Sequence, residues 1–87
     1  MDIDDKISQF THELSTYIGQ DYLVANGITI DEKTRFYQLN FDMVDEIITE
    51  LIINDVFVIN DFRLDPWPVT IGELLLVVRT HLAATMV

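Results

Sequence analysis

The chain has no cysteine, which excludes disulfides, thiolate metal sites and a cysteine nucleophile together. Small secreted domains usually depend on such staples, so their absence leads us to expect a cytoplasmic protein. Bases are scarce as well: five Lys and Arg stand against 15 Asp and Glu, a net charge of −10. That field repels nucleic-acid phosphates and anionic lipid, and it favours basic protein surfaces. Long apolar runs are missing. A membrane-spanning helix needs about 20 mostly apolar residues, whereas the densest run, Leu74 to Val78, has five. The opening Met-Asp-Ile-Asp-Asp is acidic where a signal peptide is basic, and no apolar signal core follows it. The three glycines are isolated, so no phosphate-cradling loop is present.

What the chain does have is apolar content. Of its 87 residues 49% are hydrophobic, and the mean hydropathy is +0.24. Disorder requires high charge with little apolar content, so the chain is expected to fold as one domain spanning 1–87. A domain of this size buries only about 60% of the surface its unfolded chain exposes, which implies one thin core.

Apolar periodicity predicts three main helices. Ile3, Ile7, Phe10, Leu14, Tyr17 and Ile18 form one face of the first. Asp2 suits its N-cap, Asp4 and Asp5 suit the positive end of its dipole, and Gly19 supplies a left-handed stop. From Gly19 to Asn40 no period holds, Asn26-Gly27 marks a turn, and a long loop packed on the core is predicted. Val44, Ile47, Ile48, Leu51 and Ile52 predict a second helix with a single apolar stripe, capped by Asp42 and ending near Asn54. Val56 to Ile59 has the composition of a strand or a buried extended connection. Asn60 to Leu64 has room for one helical turn, and Asp65-Pro66-Trp67-Pro68 forces an extended link. Thr70 and Glu73 make a capping box that opens the last helix. Leu74 to Val78 is apolar on every side, so that helix is either central or faces a partner, and it allows a weak homodimer. Arg79 and His81 suit the C-terminal end of its dipole.

In this order the elements resemble the acyl carrier protein fold. Ile28-Thr29-Ile30-Asp31 is similar to the family's I-T-P-D segment, and Phe36 to Asp42 resembles its approach to the second helix. From Asp42 to Phe57 the spacing of aspartate, acidic positions and closing phenylalanine fits without a gap, and Val69 to Leu74 is similar to the start of the family's last helix. A closer likeness is to small enterobacterial acyl-carrier-like proteins of unknown function. The resemblance implies an all-α bundle of three main helices plus a short third element. It also implies a serine at the start of the second helix, the attachment point for phosphopantetheine. Here that tripeptide reads Asp42-Met43-Val44, and a thioether cannot form the phosphodiester. The only serines, Ser8 and Ser15, lie in the first helix. The resemblance therefore implies a retained shape without the cofactor.

The functional expectation is a non-catalytic module that docks a basic partner surface. Asp42, Met43, Asp45, Glu46 and Glu50 would make the contact, with Met43 as an adaptable apolar centre. A solvated face that keeps the chain soluble accounts for the same acids equally well. His12 and His81 are too isolated to bind a metal, and the segment Asp31 to Asp42 lacks the alternating oxygen ligands of a calcium loop. Ser8 or Ser15 with His12 lacks a third orienting group, and Asp45 and Glu46 point apart on a helix. An enzyme is accordingly not expected. Two other readings stand beside the module: a functional acyl carrier modified in an unrecognised way, and a small acidic inhibitor or immunity-type protein that masks a nuclease.

Overall fold

The computed structural model describes residues 3–60 and 62–85. Its helices are α1 (Ile3–Ile18), α2 (Gln20–Ala25), α3 (Met43–Phe57) and α4 (Ile71–Thr85), with a 3₁₀ turn at Phe36–Leu39 before α3. Among the described residues the fold is all-α, and the one extended pairing is an isolated antiparallel bridge between Arg35 and Thr70.

α1 follows its periodicity. Phe10 and Leu14 are fully buried, and Ile3, Ile7 and Ile18 pack at the margin of the core. Asp4 and Asp5 occupy its first turn, while the Asp2 cap lies outside the described residues. Gly19 ends the helix at φ +107°, a backbone region that glycine enters without Cβ strain. The chain does not continue as a loop. It turns directly into α2, whose six residues are too few to present a period, and which places Leu23 in the core. The turn at Asn26-Gly27 is present, with Gly27 at φ +64°.

The expected stripe on α3 is turned away from the core. Thr49, Ile53, Val56 and Phe57 face inward, Ile48 and Ile52 are half-buried, and Val44, Ile47 and Leu51 are exposed. α3 also runs three residues beyond Asn54. Val56 and Phe57, read as strand or extended chain, are its last turn, and Phe57 packs against Phe10 with ring centroids 6.2 Å apart. Val58 ends the helix in the left-handed conformation. No helical turn forms between residues 60 and 64 among those described. α3 side chains organise that segment instead: Asn54 Oδ1 accepts from the Phe62 N–H at 3.1 Å, and Glu50 Oε2 from the Leu64 N–H at 2.7 Å. Among the described residues the expected short third element is irregular chain, with Phe62 and Leu64 held by side-chain acceptors of α3.

α4 opens with the expected capping box. Thr70 Oγ1 accepts from the Glu73 N–H at 3.1 Å, and Glu73 Oε2 accepts from the Val69 N–H at 2.8 Å. Ile71, Leu74, Leu75 and Val78 enter the core, leaving Leu76 and Val77 outside. The residues before the 3₁₀ turn clamp this end: Ile71 N donates to Thr34 O at 3.0 Å, and Gly72 N to Glu32 O at 2.9 Å. Arg79 and His81 are not in the last turn. Arg79 pairs with Asp4 on α1 at 3.6 Å, and His81 lies edge-on to Phe62. Trp67 packs in the prolyl link against Phe36 and Phe41, with centroids 5.4 and 6.2 Å apart.

Candidate interaction surface around the start of α3

Of the residues expected at a partner surface, Asp42, Met43, Asp45 and Glu46 lie at the N-terminal end of α3 and Glu50 lies midway along it, and they do different jobs. Asn40 adopts a left-handed conformation that turns the chain out of the 3₁₀ turn, and Asp42 then caps α3. Its Oδ1 accepts from the Asp45 N–H at 3.0 Å, and Asp45 Oδ2 accepts from the Asp42 N–H at 3.0 Å. This reciprocal pair satisfies two of the backbone donors that a helix start leaves open.

Asp45 therefore faces back toward the cap and toward α1. Its second oxygen, Oδ1, accepts a 2.6 Å hydrogen bond from the Tyr17 hydroxyl. That bond is the largest influence holding the Asp45 carboxyl below the usual carboxylate range, and the Asp42 backbone bond adds to it. The same bond raises the Tyr17 phenol, since its neutral form is the donor. Glu50, which accepts from the Leu64 N–H, is an internal acceptor. Two of the five expected contact residues are thus engaged within the fold, Asp42 is a cap, and Glu46 is half-buried.

Met43 is the first residue of α3 and is 75% exposed. The neighbouring Phe41 ring lies 5.0 Å from Phe36 and 6.2 Å from Trp67. With Val44, Ile47 and Leu51, Met43 forms an exposed apolar row. At 3.6 residues per turn, Val44, Ile47 and Leu51 fall within about 60° of one another around the helix. The outward surface of α3 is consequently apolar along its middle.

A cleft of about 280 Å³ lies between α1, α2 and the start of α3. Tyr17, Ile18 and Tyr22 line one side, and Leu39, Asn40, Phe41 and Asp45 the other. Sequence reasoning missed Tyr22, Asn40 and Phe41, and took Tyr17 for an apolar stripe residue. A tyrosine closing an otherwise aliphatic stripe was the available signal, because its hydroxyl needs a partner at the core edge. A second, more open groove of about 660 Å³ runs along α4 between Phe62, Leu76, Val77 and His81.

Among the described residues no three His, Asp or Glu side chains are placed to hold a metal ion, and no helix is long and apolar enough to cross a membrane. Comparison of the chain with protein-family models, curated proteins and solved structures finds no match.

Proposed function

We propose that the chain is a non-catalytic, acyl-carrier-like interaction module. It carries no phosphopantetheine and docks a basic partner surface through α3 and the turn before it. The observation that carries this reading is the exposed row that starts at Met43 on a helix capped by Asp42. An exposed apolar row on a chain of net charge −10 is complementary to a basic surface that carries an apolar patch. The charge steers encounter, and the buried apolar contact holds the complex.

Two measurements test the two halves of this reading. The unaltered chain and Met43→Ser are each incubated with coenzyme A and a broad-specificity phosphopantetheinyl transferase, and their intact masses are read. The unaltered chain stays unmodified and Met43→Ser gains one arm. A gain on the unaltered chain makes it a carrier, and no gain on either removes the acyl-carrier likeness. Docking is read with an amphipathic Lys/Leu helical peptide, whose binding weakens about tenfold in Leu51→Ser. Unchanged affinity in that variant removes the docking surface.

A further inference from the structure

The cleft beside α3 combines features that a generic acidic surface lacks. Its volume, about 280 Å³, is at or below the smallest usual small-molecule sites (about 300 Å³) and suits a single amino-acid side chain. Its lining brings together three aromatic rings (Tyr17, Tyr22 and Phe41) and one carboxylate, Asp45. Both tyrosines are partly exposed, so an incoming group can reach them.

Building on the docking reading above, we propose that this cleft receives an arginine side chain of the partner. The guanidinium would lie against Asp45, with the stem along the aromatic and aliphatic wall. The carboxylate has the capacity for this. Each of its oxygens already accepts one hydrogen bond, from the Tyr17 hydroxyl and from the Asp42 N–H, and each retains a second acceptor position. Those two donors also lock its orientation, so the fork of an arginine meets a fixed edge. Asp45, held below the usual carboxylate range by its Tyr17 bond, is charged at neutral pH as any ordinary aspartate is. A guanidinium is planar, weakly hydrated and able to lie on aromatic rings, whereas an ammonium is compact and strongly hydrated, so arginine fits better than lysine. The α3 N-terminus places about half a positive charge nearby, and the full charges of Asp42, Asp45 and Glu46 in and before the first turn outweigh it. A second copy of this chain suits the cleft poorly, since it brings a further −10 of charge.

The test uses three blocked tripeptides, Gly-Arg-Gly, Gly-Lys-Gly and Gly-citrulline-Gly, titrated into the isotope-labelled full chain while backbone amide resonances are followed. The arginine peptide moves Tyr22, Asn40 and Asp45 saturably. It does so about fivefold more tightly than the lysine peptide, and the neutral citrulline peptide does not saturate. Tyr22→Ala weakens the arginine response about fivefold, and Tyr22→Leu, which keeps apolar bulk at that position, weakens it likewise. Equal responses to arginine and lysine, or shifts spread equally over Asp31 and Asp55, reduce the effect to diffuse charge attraction and overturn the proposal. So does an unchanged response in both Tyr22 variants. If Met43→Ser takes the arm and the Lys/Leu peptide binds while the arginine peptide does not, the arginine site alone fails. If the arginine peptide binds but neither other test succeeds, the module reading fails instead.

Discussion

The Tyr17 hydroxyl donates to Asp45 Oδ1 across 2.6 Å, joining the last turn of α1 to the first turn of α3 over 28 positions of sequence. Asp45 also completes the cap of α3 with Asp42. One carboxylate therefore sets both where α3 begins and how it sits against α1, and it forms one wall of the cleft.

This bond makes stability depend on pH in a definite sense. Asp45 has a lowered folded-state pKa, so its contribution is present above the unfolded carboxylate value of about 4 and is lost as pH falls through the folded value. Tyr17 has a raised one, so its contribution is present below about pH 10 and is lost as pH rises through the folded value. The stability difference between the unaltered chain and Tyr17→Phe should be flat near neutrality and shrink at both extremes. In Tyr17→Phe the Asp45 carboxyl should titrate closer to an ordinary aspartate, as read from its side-chain carbon resonance.

The rotation of α3 is checked by a pair of variants two residues apart. Ile53 is 0% exposed and Leu51 is 60% exposed. Ile53→Ala should destabilise by about 2–5 kcal/mol through lost burial and a cavity, whereas Leu51→Ala should stay within about 0.5 kcal/mol. Urea unfolding of both measures the difference. Equal losses would place the stripe back in the core.

Gly72 is required by a close approach, not by its own backbone conformation. A Cβ there would lie 2.8 Å from the Glu32 carbonyl oxygen, the atom that accepts the Gly72 N–H. Alanine has the better helix propensity by about 1 kcal/mol, but the backbone must shift to admit it. Gly72→Ala should therefore be net destabilising by about 1–2 kcal/mol, with slower-growing losses at more distant sites. Amide exchange should quicken first at Ile71 and Gly72, whose N–H groups reach the segment before the 3₁₀ turn.

Val58 holds a left-handed conformation at φ +55° while 82% exposed. A β-branched residue pays about 1–2 kcal/mol there, and little packing compensates. Val58→Gly should stabilise the fold by about 1 kcal/mol, raising the melting temperature by roughly 4–8 °C.

Much of the helical framework could be read from local chemistry. Asp42, Gly19 and the Thr70–Glu73 box act through hydrogen bonds or backbone freedom within four residues, so their roles survive any global arrangement. The periodicity of α1 sufficed because its polar and apolar residues separate cleanly. α3 failed the same treatment because it is apolar nearly all round, and a helix of that kind offers several stripes that fit the core equally well. α2 was too short to show a period, and the end of α3 was obscured by a run of residues with strand composition.

The candidate surface divides along the same line. Composition and the identity of residue 43 were enough to establish an acidic, cysteine-free chain whose second long helix begins with an aspartate cap and a methionine. Packing chose which side of that helix faces water, and by doing so it engaged Asp45 and Glu50 in hydrogen bonds within the fold and left Met43, Val44, Ile47 and Leu51 exposed. The cleft was set at that same level, because Tyr17, Tyr22, Phe41 and Asp45 become neighbours through contacts between elements distant in sequence, which no local spacing encodes.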